Sequence, residues 1–388
     1  MPAVPSSPAP AHSTPTAAPT ASPGATTGPA TRANTGTPPA TSPAATPGPA
    51  TTDTRLAALT AWLQARAARF ALDLSSLAPA SSDASFRRYF RLASASPSRA
   101  SVIVMDAPPG KEDCRPFVAV AARFAAAGLH VPAVLDQDLE QGFLLLSDLG
   151  TTTYLARLDS ASAPALYGAA SDALVRLQVA SRPDGLPPYD RALLSRELEL
   201  FPEWYVTRHH DHPLTSTERA DLDRVFELLL ANNLAQPQVD VHRDYHSRNL
   251  MVAEPNPGIL DFQDAVRGPI TYDLVSLLRD AYVQWGEEQV LDWTIRYWEK
   301  ARRAQLPVAT DFADFWRDFE WMGLQRHIKV LGIFARLYHR DGKDNYLADL
   351  PLVLHYTRRA AERYRAMKPL LRLLDKLEAR PARVGYTF

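Results

Sequence analysis

Two neighbouring stretches carry residue types at a spacing suited to phosphoryl transfer. In Val241-His242-Arg243-Asp244-Tyr245-His246-Ser247-Arg248-Asn249-Leu250, an Asp is followed five residues on by an Asn. In Gly258-Ile259-Leu260-Asp261-Phe262-Gln263-Asp264, a second Asp closes a short apolar run. Moving a phosphoryl group from ATP asks little covalent chemistry of a protein. It needs a nucleophile held in line and cations that neutralise the triphosphate. Mg²⁺ takes a few carboxylate and amide oxygens and keeps several waters. Asp244 is therefore the expected base facing an acceptor hydroxyl, with Asn249 and Asp261 as Mg²⁺ ligands. The spacing carries this signal, because Asp-Phe pairs alone recur at Asp311-Phe312, Asp314-Phe315 and Asp318-Phe319. Those three fall at helical spacing and read as a packed helix face. The plainer alternative is a loop in which Asp244 and Asn249 only cap turns.

Such a site needs a scaffold that brings both stretches beside a triphosphate. After Asp53-Thr54, either of which can cap a helix, Leu56, Leu59, Trp62, Leu63 and Ala67 recur at helical spacing. Residues 77–92 read as strand, tight polar loop, strand; 101–105, 131–135 and 143–146 read as strands, and 113–127 as a helix. The order β, β, β, α, β, β is that of the small lobe of a kinase-like fold. The loop 81–86 then lies where such lobes cover phosphates. It has no glycine, but Ser82 and Ser85 are small enough to let backbone N–H groups approach an anion. An ordinary hairpin turn fits the same residues. Arg87 and Arg91 follow on one strand face with Tyr89. Residues 144–150 read as a hinge, with the backbone at Ser147 and Leu149 placed for an adenine edge, or as a buried strand ending in a turn.

Beyond Thr151 the spacing predicts helices at 165–180, 191–206, 217–232, 287–302, 311–338 and 345–380. Another begins at Thr271, and its Asp273 is placed to brace the catalytic loop. The predicted class is α+β: a bilobal, protein-kinase-like fold. A small β-rich nucleotide lobe is expected over 53–148, and a larger, mostly helical catalytic and acceptor-binding lobe over 149–388.

The chain has 388 residues, enough for two lobes with a sizeable core. A net charge of −1 gives no electrostatic footprint for nucleic acid. Its single cysteine, Cys114, excludes an intrachain disulfide framework and a cysteine zinc cage, and reads as packing. Residues 1–52 are of a different composition. They hold 13 of the 33 prolines, and Arg32 is their only Lys, Arg, Asp or Glu. Neither helix nor sheet is expected there, so this tail reads as a disordered extension or a misassigned translation start. No basic start with an apolar run marks a secretory signal. No stretch is long and apolar enough to span a membrane, so a cytoplasmic location is expected.

The second half of the chain resembles the aminoglycoside phosphotransferase and choline kinase superfamily. More narrowly, it is similar to the bacterial N-acetylmuramate/N-acetylglucosamine kinases of cell-wall recycling. The stretches that carry this are 82–91, 104–109, 241–250, 260–265, 268–273 and 324–336, spread over nearly all of 55–380. The resemblance implies Asp244 as base, Asn249 and Asp261 on Mg²⁺, and ATP as donor. It also implies a sugar 1-phosphate product that passes to a separate uridylyltransferase.

This sequence departs from the kinase pattern at its third strand. Kinase-like folds place a Lys there, paired with a Glu on the next helix. Here the strand reads Val102-Ile103-Val104-Met105, and the best-aligned helix position, near Val118, is apolar. Both partners of the pair look absent, and Arg87, Arg88 and Arg91 are the candidates to meet the phosphates. On the acceptor side, Arg326, Lys329 and Arg336 share one helix face and suit the lactyl carboxylate of N-acetylmuramate, or form a solvated basic face. His246, Arg248 and Asp264 lie near enough in sequence to reach the acceptor or the transferred phosphate, as does Gln263. An aromatic among 203–205 would stack on a sugar or pack in the core. The residues alone leave three other readings open. One is a same-fold kinase for an aminoglycoside, choline or another hydroxyl. Another is a non-catalytic binding module, against which intact Asp244, Asn249 and Asp261 argue. A third is a scaffold whose function lies in the Pro-rich tail.

Overall fold

The computed structural model describes residues 53–82 and 86–379. Asp53 caps α1 (Thr54–Gln64) by accepting the Leu56 N–H at 3.0 Å, as a short carboxylate at that position does. A single turn, α2 (Ala67–Phe70), leads into β1 (Leu72–Ser82), β2 (Arg88–Ser94) and β3 (Ser101–Asp106). Then come α3 (Arg115–Ala126), β4 (Val134–Asp138) and β5 (Phe143–Ser147). The strand expected at 131–135 thus begins three residues later. All pairings are antiparallel, in the order β1-β2-β3-β5-β4.

Strand alternation gives the sheet two different faces. Leu92, Val102, Val104, Phe143 and Leu145 pack under Leu59, Trp62 and Leu63 of α1. Met105, Leu144 and Leu146 turn the other way, into the larger core with α3 and the helical remainder. On that second face Tyr89 lies opposite Met105, and Arg91 opposite Ile103.

The remainder is mostly helical: α4 (Tyr154–Arg157), α5 (Ala163–Val179), α6 (Arg191–Leu198) and α7 (Ser216–Ala235). Short strand pairs interrupt it. β6 (Gln238–Val241) pairs with β9 (Val266–Pro269), and β7 (Leu250–Met251) with β8 (Gly258–Ile259). Then follow α8 (Tyr272–Leu278), α9 (Glu287–Arg303), α10 (Phe312–Asp341), α11 (Leu350–Arg363) and α12 (Lys368–Leu377). No helix among the described residues is long and apolar enough to cross a membrane.

Two expected helices are broken, each with a proline at the break. The run 191–206 stops being α-helical after Leu198 and continues as a π-helical segment, Phe201–His209, that contains Pro202. The proline has no N–H to donate back to the preceding turn. The same region presses on α10: a Cβ at Gly332 would lie 2.4 Å from the Leu200 carbonyl carbon, so only glycine fits there. The run 345–380 divides into a 3₁₀ turn, α11, a second 3₁₀ turn and α12, with Pro351 and Pro369 in the first turns of the two helices. Proline is tolerated at a helix start and not inside. Phe315 and Phe319 of α10 are buried, as the helical spacing predicts.

Candidate active site

The catalytic loop hangs between two buried acids at either end of α8. Asp273, in the first turn, accepts the backbone N–H groups of His242 at 2.7 Å and Arg243 at 3.0 Å. These bonds hold Arg243 at a φ of 78°, in the left-handed region that a side chain rarely adopts. Burial pushes the Asp273 carboxyl up to about 7, against the pull of the two N–H donors. Asp280, just beyond α8, accepts the Ser247 N–H at 2.9 Å and the Ser247 hydroxyl. Between them, His242 joins the loop to the Asp261 turn. Its Nε2 donates to the Leu260 carbonyl at 2.9 Å, and its Nδ1 accepts the Asp244 N–H at 3.2 Å. Both bonds require a neutral imidazole. Burial supplies it, lowering the pKa to about 4.

Asp244, Asn249 and Asp261 converge as the spacing predicts. The Asn249 amide nitrogen donates to the Asp244 carbonyl at 3.0 Å and lies 3.3 Å from Asp261 Oδ2. The Asn249 side chain thus links the loop to the Asp261 carboxylate. Asp261 takes a φ of 62°, and Gln263 Nε2 donates to its Oδ1 at 2.8 Å. Phe262 is buried behind it, with ring centroids 4.8 Å from Phe117 and 5.8 Å from Phe124. Burial opposes ionisation of Asp244, but Lys329, His246, Arg326 and Arg243 outweigh it and hold its pKa below the ordinary Asp value. Asp244 is therefore a carboxylate, the form a base requires.

Two cavities meet at this point. One, of about 410 Å³, runs under the sheet past Tyr89, Ile103, Leu146 and Leu149. The other, of about 360 Å³, is lined by Asp244, His246, Tyr282, Arg326, Phe334 and Tyr346. Arg248, Asn249 and Asp261 line both. In the first cavity, the Ser147 N–H is donated to the Ala133 carbonyl at 2.9 Å and is not available to a purine; Leu149 lines the wall. Arg91 is bound bidentately to Asp148 at 2.6 and 3.0 Å and donates to the Gly150 carbonyl at 2.8 Å. It braces the turn after β5. Arg87 pairs with Glu112 at 3.0 Å. Ser85 lies outside the described residues, and Ser82 is described only as the last residue of β1.

In the second cavity the three predicted cations separate. Lys329 donates to Glu197 at 2.9 Å and to the Tyr272 hydroxyl at 3.1 Å. Glu197 also binds Arg243 at 2.6 Å and accepts the Tyr189 hydroxyl. Arg336 is half-buried and does not line the cavity. Arg326 does. It is 4% exposed, its Nη1 has no hydrogen-bond partner, and it forms no ion pair among the described residues. His246 packs edge-on to Tyr282 at 5.4 Å, and Arg248 stacks 3.6 Å above the same ring. Asp264 lines neither cavity; its carbonyl accepts from Arg243 at 3.3 Å. Tyr205 is buried against Phe201 at 5.4 Å, a core aromatic away from the cavity.

Residues 76–306 match the model of the phosphotransferase enzyme family. The chain belongs to that family. It is 52% identical over 301 residues to the N-acetylmuramate/N-acetylglucosamine kinase of Pseudomonas aeruginosa, covering 78% of this chain and 88% of that protein. It is 50% identical over 314 residues to the N-acetylmuramate/N-acetylglucosamine kinase of Neisseria meningitidis, covering 80% and 93%. Among solved structures, choline kinase LicA from Streptococcus pneumoniae matches with a TM-score of 0.55 at 12% identity, covering 80% of this chain and 99% of that one. That likeness is one of fold, and the fold is the bilobal, protein-kinase-like one the strand order predicts.

Several residues of this phosphotransferase site were not singled out by the sequence. Glu197, Asp280, Asp148 and Glu112 are ordinary acids at unremarked positions, and their roles come from partners far along the chain. Tyr282, Phe334 and Tyr346 form the aromatic wall of the second cavity.

Proposed function

We propose that this chain is an ATP-dependent amino-sugar kinase that phosphorylates the anomeric hydroxyl of N-acetylmuramate and N-acetylglucosamine. The observation that carries this reading is the meeting of two cavities at Asn249 and Asp261, with the ionised Asp244 opening only on the second. The identity to two kinases with that name supports the choice of sugar. In this reading, residues 53–148 hold the nucleotide and 149–388 supply the chemistry and the acceptor pocket. Asp244 takes the proton from the C1 hydroxyl as that oxygen bonds to the γ-phosphorus. The bond from the γ-phosphorus to the β,γ-bridging oxygen breaks, and ADP leaves with the electron pair. An anomeric hydroxyl is more acidic than an ordinary alcohol, so one carboxylate suffices as base.

Asn249 and Asp261 would hold Mg²⁺. Their fit is the donor set itself: a carboxylate and a side-chain amide 3.3 Å apart on neighbouring loops, both lining the two cavities. Two protein oxygens, with phosphates and waters, suit this ion, which neutralises charge on the triphosphate when bound. Arg326 is the residue placed for the lactyl carboxylate of N-acetylmuramate, and the aromatic wall suits the face of a sugar ring. Arg248 lies at the junction, where the transferred phosphoryl group passes, and His246 lines the acceptor cavity beside Asp244. The sugar 1-phosphate would pass to a separate uridylyltransferase in the cytoplasm.

The test is ³¹P NMR of the protein with Mg-ATP and, separately, N-acetylmuramate, N-acetylglucosamine, choline and kanamycin. A sugar 1-phosphate signal from the N-acetylated sugars is expected. Transfer to choline or kanamycin alone would overturn the acceptor, and no transfer at all would overturn the enzyme.

A further inference from the structure

We propose that the Arg87–Glu112 ion pair stands in for the Lys–Glu pair of kinase-like folds, with Arg87 as the cation on the triphosphate. The proposal rests on the reading of the first cavity as the ATP site. The cleft face of β3 presents Ile103 and Met105, so no charge comes from that strand. The neighbouring strand supplies one. Side chains alternate along β2, so Tyr89 and Arg91 share the cleft face, and Arg87 immediately precedes the strand. Tyr89 and Arg91 line the cavity with Asn249 and Asp261.

Of the three arginines around β2, two are engaged elsewhere. Arg91 is bound to Asp148, and Arg88 turns to the far face, pairing with Asp106 and Asp53. Arg87 is the one left just ahead of β2, paired with Glu112 two residues before Tyr89 of the cavity wall, though it is not itself part of that wall. Burial pulls its pKa down, but Tyr89, Glu112, Asp261 and Asp264 together hold it up, so the acids of the Asp261 turn are among the charges that act on it.

Glu112 sits three residues ahead of α3 and does two things. Its Oε2 pairs with the Arg87 guanidinium at 3.0 Å, and its Oε1 accepts the Phe86 N–H at 3.3 Å. One carboxylate thus fixes both the side chain and the backbone leading into β2. The Arg87 side chain is 11% exposed. A cation this buried needs a partner, and Glu112 supplies one in the absence of nucleotide. A guanidinium has five N–H donors in a fork, so pairing with Glu112 is compatible with bonds to phosphate oxygens. Relative to the usual arrangement, the cation moves from β3 to the start of β2, and the anion from within the helix to just before it. Moving both leaves neither charge alone.

The test is calorimetric binding of adenosine, Mg-ADP and Mg-ATP to the full chain and to Arg87→Met, Arg87→Lys and Glu112→Gln, with KM for each substrate. Arg87→Met should weaken ATP and ADP roughly tenfold or more, with adenosine affinity and acceptor KM unchanged. Arg87→Lys should restore part of that loss. Glu112→Gln should weaken the same two nucleotides by less, and it carries the readout should Arg87→Met not fold. ATP affinity equal to the unsubstituted chain's would overturn the proposal. So would an equal loss for adenosine, which would mark a purely structural role. An unsubstituted chain that binds no ATP would overturn the kinase reading itself.

Discussion

Cations on the two sides of the transfer point are treated differently. On the nucleotide side, Arg87 is paired with Glu112 and Arg91 with Asp148, each at 3.0 Å or less. On the acceptor side, Lys329 is paired with Glu197, but Arg326, one turn earlier on α10, is buried without an ion pair among the described residues. A paired cation keeps its geometry when the ligand is away. A buried cation without an ion pair is costly until an anion reaches it, and so an anionic ligand gains most from it. On the proposed reading, the nucleotide side is organised in advance for a ligand every turnover requires, and the acceptor side holds a charge in reserve for the carboxylate of one of the two sugars.

The largest expected break in this comparison comes from Asp244→Asn. It should lower kcat roughly 10²–10⁴-fold for every acceptor, because it removes the proton acceptor. Nucleotide affinity, measured by calorimetry, should hold. A matching loss of ATP binding would show that the two sides are not separable at this residue.

His242 lies beneath both sides, and its effect is on stability. Its folded pKa of about 4 is below the ordinary 6.5, so between those values the unfolded chain binds a proton that the folded chain does not. Stability should therefore be full above pH 6.5 and fall as pH drops towards 4, by on the order of 3 kcal/mol from this residue. Urea unfolding across that window should show a shallower fall for His242→Gln. Equal slopes in the two chains would contradict the neutral imidazole.

A smaller, more selective effect is expected at Arg326. Arg326→Ala should reduce kcat/KM for N-acetylmuramate about 10- to 100-fold more than for N-acetylglucosamine, on top of a smaller loss common to both sugars from its support of the Asp244 carboxylate. Equal losses for both sugars would remove Arg326 from carboxylate recognition. The mildest is Arg91→Ala, whose half-exposed pairing with Asp148 predicts a rise of about two- to fivefold in KM for ATP with acceptor KM unchanged. A rise in acceptor KM would mean that the turn after β5 serves both sides.

Much of the fold was legible because its signals are local. Asp53 ahead of a leucine-spaced run predicted α1 and its cap. Alternating apolar residues predicted the small sheet, and the β, β, β, α, β, β order predicted its class. The errors were local too: 191–206 and 345–380 have helical spacing throughout, and spacing outweighed Pro202, Pro351 and Pro369. Legibility in the site followed the same rule. Asp244 and Asn249 share one short loop, and Asp261 follows a strand that must pair beside it. Glu112 is not legible in the same way, because its partner Arg87 lies 25 residues away and the pair forms before the helix rather than on it.

Chain order alone determined that Asp244, Asn249 and Asp261 converge, since residues at those spacings need only one loop and one short strand turn. It also determined that three basic residues share a face of α10. Only the tertiary structure decided what each of them does. Glu197 reaches Lys329 from α6, Arg336 falls beyond the cavity, and Arg326 is left facing it. Helical periodicity places side chains on a face, but a charge is paired or unpaired according to which distant carboxylate packs against it, and that depends on the whole fold.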